Sequence, residues 1–217
     1  MCPTLPRLYA ILDASRFRGA TPLLDFAREL ADAGVTLMQY RNKQGSSQRM
    51  LDDARQLRRS LPQVTLIMND RADLCLMAGL DGVHLGQEDL SPAAARSIFQ
   101  THIGSADMGR HSQKPLWVGV STHSPEQLRA ADTGDTDYLA IGPVFPTASK
   151  QNPDPVVGLE GVRTARAATR KPLVAIGGIT PANARSVLDA GADSVAVISG
   201  LLDQPRKSVE AFLRVLG

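Results

Sequence analysis

Aromatic side chains, cysteines and excess charge are all scarce in this chain of 217 residues. Aromatic residues make up 4% of the sequence, and no basic block accompanies the net charge of +2, so we expect no nucleic-acid partner. Cys2 and Cys75 have neither paired nor metal-ligand spacing. Cys75 lies in an apolar run, which predicts a reduced thiol in the core.

Long apolar segments are also missing. No run approaches the roughly 18 apolar residues that a membrane-spanning helix needs. The N-terminus carries Pro3 and Pro6 but no apolar signal region. We therefore predict a cytoplasmic protein with reduced thiols and no membrane partner.

Strand and helix signals alternate eight times along the chain. Eight short apolar runs predict strands at 8–12, 36–40, 64–68, 82–85, 116–120, 138–141, 173–176 and 194–198. Several of the intervening amphipathic helices begin at a Thr-Pro or Ser-Pro pair, with the first residue as N-cap at Thr21, Ser91, Ser124 and Thr180. Apolar strands separated by helices favour a parallel sheet, and eight such units in this length predict a single α/β domain over residues 1–217, a (β/α)8 TIM barrel.

A weak internal echo accompanies this alternation. Four helices end a few residues before the next strand at a similar pair, namely Ala33-Gly34, Ala78-Gly79, Thr133-Gly134 and Ala190-Gly191. Glycine supplies the left-handed residue that commonly follows a helix. Residues 100–115 are polar and without a clear period, which predicts an exposed excursion before the fifth strand.

Two carboxylates begin the loops beyond the third and fourth strands. Asp70 and Asp89 each follow a short apolar run. In a barrel the chemistry lies at the carboxyl ends of the strands, so both are expected on one rim. Oxygen ligands placed in this way suit Mg²⁺, which takes one or two carboxylates and completes its shell with water and phosphate oxygens. In the alternative interpretation, each aspartate only caps the helix that follows it.

The second strand ends in an amide and two cations. Alternation along a strand places Gln39, Arg41 and Lys43 on one side. This set predicts a grip on a multiply charged phosphate, with Gln39 left to bond a neutral group. A solvated polar turn is the alternative. His84, which lies within a strand, is interpreted as a packed structural residue.

Hydroxyl groups follow the fifth and sixth strands. Ser121 is placed to face a ligand at the end of strand five. A long loop with two prolines then carries Thr147, Ser149 and Lys150, and long barrel loops of this kind are often functional. The hydroxyls and the ammonium suit phosphate oxygens, with Lys150 free to follow a leaving anion.

Glycines end the last two strands. Gly177-Gly178 follows strand seven and Ser199-Gly200 follows strand eight, where barrels of this class recurrently bind phosphate. Backbone N–H groups at such positions bind an anion without a cationic side chain. A cationic, metal-bearing site and a separate neutral anion site together suggest a transfer reaction in which pyrophosphate leaves.

These motifs, in this order, resemble the thiamine-phosphate synthase family. The segments that carry the resemblance span nearly the whole chain: 39–43, 69–71, 84–89, 119–121, 142–150, 174–179 and 197–199. The resemblance implies Mg²⁺-assisted joining of 4-amino-2-methyl-5-hydroxymethylpyrimidine diphosphate to 4-methyl-5-(2-phosphoethyl)thiazole, which gives thiamine monophosphate and pyrophosphate. It also implies a dissociative mechanism, in which pyrophosphate leaves first and the thiazole nitrogen captures a pyrimidine carbocation.

The resemblance further implies roles for individual residues. Asp70 and Asp89 would bind Mg²⁺. The pyrophosphate would be bound by Arg41, Lys43, Asn69 and Lys150. The pyrimidine would contact Gln39 and Ser121. The thiazole phosphate would be bound by Thr147, Ser149, Gly178, Ile198 and Ser199. The catalytic residues would be Arg41, Ser121 and Lys150. Ser149 stands where the family usually has threonine, which keeps the hydroxyl.

Two other functions compete with this interpretation. A thiazole tautomerase of the same superfamily would need a proton-shuttling group, for which His123 is the candidate, but neither Mg²⁺ nor a pyrophosphate grip. A non-catalytic phosphoester-binding barrel would explain the glycines but not the carboxylate pair. Barrels of this kind are often dimers, so a homodimer is expected by analogy.

Overall fold

Eight parallel strands close into a barrel in the computed structural model, which describes residues 4–102, 116–147 and 154–217. The strands are β1 (Leu8–Asp13), β2 (Leu37–Arg41), β3 (Thr65–Asn69), β4 (Gly82–Leu85), β5 (Trp117–Thr122), β6 (Tyr138–Ile141), β7 (Leu173–Ile176) and β8 (Ser194–Val197). Strands that are consecutive in the chain pair in the barrel, and β8 pairs with β1 to close it. The predicted (β/α)8 architecture is confirmed.

A helix follows every strand. The helices are α1 (Ala20–Asp32), α2 (Ser47–Ser60), α3 (Ala72–Ala78), α4 (Pro92–His102), α5 (Pro125–Asp132), α6 (Gly158–Ala168), α7 (Pro181–Asp189) and α8 (Pro205–Leu216), and short 3₁₀ turns lie at Ala14–Arg16 and Ser199–Leu201. Ser124 and Thr180 are the N-caps of α5 and α7, and the Ser91 hydroxyl accepts a hydrogen bond from the backbone of Ala94. The prediction for Thr21 is wrong: α1 begins two residues earlier than predicted, at Ala20, with Gly19 as its N-cap.

The prediction of an exposed loop over residues 100–115 is wrong for its first three residues. Residues 100–102 continue α4 because the hydrogen-bonded helix extends through them. Residues 103–115 lie outside the described part of the chain, as do Ser149 and Lys150.

Alternation along the strands builds two apolar layers. On β1, for example, Leu8, Ala10 and Leu12 pack beneath the helices, whereas Tyr9 and Ile11 belong to the cluster inside the barrel. Burial on both faces explains why the strands read as continuous apolar runs. Residue 119 on β5 must be glycine, because a Cβ there would overlap the ring of Tyr138.

Three matching ion pairs lie at the amino-terminal ends of the strands. Asp81 immediately precedes β4, and its Oδ2 accepts from Arg58 Nη1 of α2 at 2.7 Å and from the backbone N–H of Leu66 in β3 at 2.8 Å. Asp137 before β6 and Asp193 before β8 repeat the arrangement with Arg96 and Val118 and with Arg166 and Leu173. We call these three arrangements the rim clamps.

The rim clamps give the sequence echo a structural meaning. Gly79 and Gly191 stand two residues before their clamp aspartates, and Gly134 stands three residues before its own. Gly79 has a φ of 67°, the left-handed conformation expected after a helix. The clamps lie on the rim opposite the strand carboxyl ends, so they serve the scaffold.

Replacing the first clamp aspartate should destabilise the barrel. Asp81→Ala leaves the N–H of Leu66 without this acceptor and removes the carboxylate partner of Arg58, which is only 11% exposed and keeps its bonds to the carbonyls of Leu61 and Val64. We expect the free energy of unfolding to fall by about 2–3 kcal/mol, measured by urea denaturation. Asp25→Ala removes an exposed ion pair with Arg28 and should cost less than about 1 kcal/mol. Equal losses in the two variants would contradict a clamp role.

Candidate active site

A cavity of about 910 Å³ opens at the carboxyl ends of the strands, and all eight strands or their loops contribute to its wall. The apolar part of its lining includes Ile11, Val174 and Ile176. The cavity brings together every described residue that the sequence analysis selected, namely Gln39, Arg41, Lys43, Asn69, Asp70, Asp89, Ser121, Thr147, Gly178, Ile198 and Ser199. The places of Ser149 and Lys150 stay predictions.

Asp70 and Asp89 occupy one side of this cavity. Asp70 has a left-handed backbone, with a φ of 64°, and its N–H donates to the carbonyl of His84 at 2.8 Å, which ties the β3 loop to β4. The Oδ2 of Asp89 accepts from the N–H of Gly86 at 2.8 Å. The capping alternative is wrong for both aspartates, because α3 has Arg71 at its N-cap and α4 begins at Pro92.

The surroundings of Asp70 shift the ionisation of its carboxyl group. Burial raises the pKa of Asp70, the neighbouring Asp89 adds to that rise, and the ammonium of Lys43, which pairs with Asp70, opposes it. A cation beside both carboxylates would stabilise their charged forms. Among the described residues, no group of three or more His, Cys, Asp or Glu side chains could enclose a metal, so a cation here would need water or ligand oxygens as well.

Arg41 is held in place by an aspartate that the sequence analysis missed. Arg41 Nη1 donates to Asp13 Oδ2 at 2.9 Å, and Asp13 is only 3% exposed. The other oxygen of Asp13 accepts from the hydroxyl of Ser15 at 2.7 Å. Asp13 ends β1 in register with Arg41 on β2, so a correct strand pairing is the signal that could have found it.

The opposite wall of the cavity is formed by uncharged loop residues, contributed by 177–180 and 198–200. Gly178 has a φ of 63°, and a Cβ there would lie 2.5 Å from the carbonyl oxygen of Pro146. The N–H of Phe145 donates to the carbonyl of Gly177 at 3.0 Å. The glycine pair therefore lets the loops after β6 and β7 touch, in addition to facing the cavity.

Three further polar side chains of the wall were not selected as ligands. His84 is buried, as expected of a packed residue, yet its Nε2 lies 2.9 Å from Ser121 Oγ. Gln87 donates to the carbonyl of Ser121. His123 Nδ1 lies 2.6 Å from the carbonyl oxygen of Gly142, and its Nε2 lies 3.5 Å from Asp154. The contacts of His84 and Gln87 join different strands and are invisible in a linear sequence, which is why their roles were missed.

A closed barrel with acidic, cationic and neutral sectors around one cavity at the carboxyl ends of its strands defines a (β/α)8-barrel enzyme. A family model described as thiamine monophosphate synthase matches residues 8–201. The chain belongs to this family, and it is a transferase.

Individual relatives agree with this assignment. Thiamine-phosphate synthase of Koribacter versatilis is 57% identical over 217 residues, which cover 98% of this chain and 96% of the relative. The enzyme of the same name from Chloroflexus aurantiacus is 36% identical over 90% of this chain and 85% of its own. The solved structure of thiamine phosphate pyrophosphorylase from Pyrococcus furiosus aligns with a TM-score of 0.81 at 32% identity and covers 97% of this chain and 95% of that one.

The helices of the described residues are short, and the longest, α2, has 14 residues. None of them combines sufficient length with sufficient apolar character to cross a bilayer.

His84 should make stability depend on pH. Burial lowers the pKa of His84 to about 4, whereas an exposed imidazole titrates near 6.5. Between these values the unfolded chain binds a proton that the folded protein does not, so stability falls as the pH drops. Between pH 7 and pH 4, the free energy of unfolding should therefore fall by about 3 kcal/mol less in His84→Gln than in the wild type, measured by urea unfolding across the range. Parallel curves for wild type and variant would contradict a neutral, buried His84.

Proposed function

We propose that this enzyme joins 4-amino-2-methyl-5-hydroxymethylpyrimidine diphosphate to 4-methyl-5-(2-phosphoethyl)thiazole and releases thiamine monophosphate and pyrophosphate. The observation that carries the proposal is the placement of Asp70 and Asp89 beside Lys43 on one side of a cavity whose other side is neutral. The names of the relatives support the same reaction.

The diphosphate would bind on the charged side. Arg41 is fixed by Asp13 and can offer its remaining N–H groups to phosphate oxygens, while Lys43 supplies a second positive charge. Asn69 lines the same wall and adds an amide. Lys150 is proposed as a further ligand of the leaving group on the strength of the family resemblance.

Mg²⁺ is the proposed cofactor, and the residues present suit it. Burial raises the pKa of Asp70, and the neighbouring Asp89 adds to that rise, so a divalent cation between the two carboxylates would stabilise their charged forms. When bound, Mg²⁺ would neutralise charge on the diphosphate oxygens as pyrophosphate departs. With two protein carboxylates, the shell leaves room for substrate oxygens.

The thiazole phosphate would bind on the neutral side. Residues 177–180 and 198–200 contribute no charged side chain to the cavity wall. The N–H groups that begin the 3₁₀ turn Ser199–Leu201 are the proposed backbone donors to this phosphate, because the first N–H groups of a helix lack a partner within it. Thr147 and Ser149 are the proposed hydroxyl ligands, and Gly178, Ile198 and Ser199 the proposed ligands at the strand ends.

The proposed order of events begins with ionisation of the pyrimidine diphosphate, before the thiazole attacks. Arg41 and Lys43 would stabilise negative charge as the bond between carbon and diphosphate oxygen breaks, and the thiazole nitrogen would then attack the carbocation. Gln39 and Ser121 would hold the pyrimidine ring in line with that attack. We propose a cytoplasmic homodimer as the working form.

Two alternative functions predict different results when pyrophosphate release is measured. A thiazole tautomerase would isomerise thiazole carboxylate phosphate without metal, with His123 as its candidate proton carrier. That histidine bonds the carbonyl of Gly142 and lies near Asp154, which favours a role in supporting the loop. A non-catalytic barrel would bind both phosphates and release no pyrophosphate.

Pyrophosphate release should require both the metal and its carboxylates. With the two substrates present, we expect turnover to disappear on chelation and return with Mg²⁺. Asp89→Asn should lower kcat by about a hundredfold or more, since a stabiliser of transition-state charge is lost. Calorimetric titration with Mg²⁺ in the presence of pyrophosphate should show weaker binding to the variant.

A matched control lies three residues from the other carboxylate. Asp73→Asn removes an exposed aspartate that pairs with Arg71 and is not part of the cavity wall. It should leave turnover and Mg²⁺ affinity close to wild type. Metal-independent isomerisation, or phosphate binding without pyrophosphate release, would replace the proposal with one of the alternatives.

A further inference from the structure

Five polar side chains form a continuous hydrogen-bonded series across the inside of the barrel. Gln39 Nε2 lies 2.9 Å from the hydroxyl of Tyr9, which lies 3.2 Å from the hydroxyl of Tyr138. That second hydroxyl is 3.0 Å from His84 Nδ1, and His84 Nε2 is 2.9 Å from Ser121 Oγ. We call this series the interior network. Both of its ends, Gln39 and Ser121, line the cavity, as do the buried Tyr9 and His84, whereas Tyr138 does not.

Every member of the interior network is uncharged near neutral pH. Burial raises the pKa of the Tyr9 and Tyr138 hydroxyls, which therefore keep their protons. Burial lowers the pKa of His84 to about 4, so its ring carries one N–H. The number of protons available to the series is consequently fixed.

With this fixed number of protons, the hydrogen bonds of the interior network can all be satisfied in two ways, which differ in the direction of donation along the series. With the Gln39 amide nitrogen toward Tyr9, each hydroxyl donates to the next, and Tyr138 donates to His84 Nδ1. His84 Nε2–H then donates to Ser121, whose own O–H is left for the cavity. In the reverse direction the amide is turned over, and Ser121 donates to His84 and offers only lone pairs.

The two ends of the interior network therefore have linked hydrogen-bonding characters. In the first direction Gln39 presents a carbonyl acceptor to the cavity and Ser121 presents a donor. In the reverse direction Gln39 presents a donor and Ser121 an acceptor. The position of Gln39 Nε2 beside Tyr9 corresponds to the first direction.

We infer that the interior network selects a 4-aminopyrimidine over a 4-oxopyrimidine by fixing the direction of hydrogen bonding at Gln39 and Ser121. The inference rests on the proposed function, which places the pyrimidine ring between these residues. An aminopyrimidine carries an N–H donor beside a ring-nitrogen acceptor, which matches the first direction. An oxopyrimidine carries a carbonyl acceptor beside a ring N–H donor, which requires the reverse.

Tyr9, Tyr138 and His84 are thus positioning residues that act through the two residues at the ends. Packing holds them in place: the rings of His84 and Tyr138 stack with centroids 5.6 Å apart, and those of Tyr9 and Tyr138 meet edge to face at 6.3 Å. Gly119 provides the space for the Tyr138 ring. A phenylalanine at either tyrosine position keeps this packing and removes only the hydroxyl.

Tyr9→Phe and Tyr138→Phe test the inference directly. Wild type and variants are compared for kcat/KM on 4-amino-2-methyl-5-hydroxymethylpyrimidine diphosphate and on its 4-oxo analogue. The intrinsic reactivity of the two diphosphates differs, but this difference is common to all variants and cancels when their preferences are compared. We expect each variant to lose about tenfold or more of the wild-type preference for the amino compound, because the direction at one end is no longer fixed.

Tyr40→Phe is the matched control. Tyr40 is a buried tyrosine on the outer face of β2, where its hydroxyl donates to Asp53 at 2.9 Å. This variant should lose stability and keep the wild-type preference. Unchanged preference in both Tyr9→Phe and Tyr138→Phe would overturn the inference, and if one of them does not fold, the other decides.

Nitrogen NMR of histidine-labelled protein gives a readout that does not depend on turnover. We expect wild-type His84 to carry its proton on Nε2 and Tyr138→Phe to show increased protonation on Nδ1. A wild-type proton on Nδ1 would overturn the assigned direction. Absence of pyrophosphate release by the wild type would overturn the proposed function and the selection together, whereas turnover with unchanged preference in the variants overturns the selection alone.

Discussion

The side-chain alternation of eight closed parallel strands is the constraint on which the site depends. Every second residue of a strand points into the barrel, so residues far apart in the chain meet at one end of it. Gln39, His84 and Ser121 come from three different strands and still share one cavity. A shift of one residue in any strand would turn its polar group toward the helices and leave the cavity wall incomplete.

Much of the architecture could be predicted from local patterns. The strands at 82–85, 138–141 and 173–176 have the predicted bounds, because apolar runs and turn residues mark their ends directly. The cavity residues were found by a similar rule, since polar groups that follow apolar strands collect on the catalytic rim of a barrel. The N-cap of α1 was predicted two residues too late, at Thr21, because Gly19 offers an equally good start.

The partners of those residues could not be predicted in the same way. Asp13 and Tyr138 act through hydrogen bonds across the barrel, to Arg41 and His84, over separations of 28 and 54 residues. A single sequence shows no pattern that links such positions. The glycine at 119 is similar: its absent side chain is explained only by the tyrosine ring that fills the space.

Three quarters of the barrel contain a rim clamp, and one quarter has none. Each clamp lies within one continuous stretch of helix, strand, helix and strand, joining residues 23, 41 or 27 positions apart. The remaining quarter combines α8 with β1, α1 and β2, the two ends of the chain, and Thr36 stands there in place of a clamp aspartate. Contacts between distant segments carry the larger loop-closure entropy. The seam between β8 and β1 is therefore the part of the barrel we expect to assemble last and to open first.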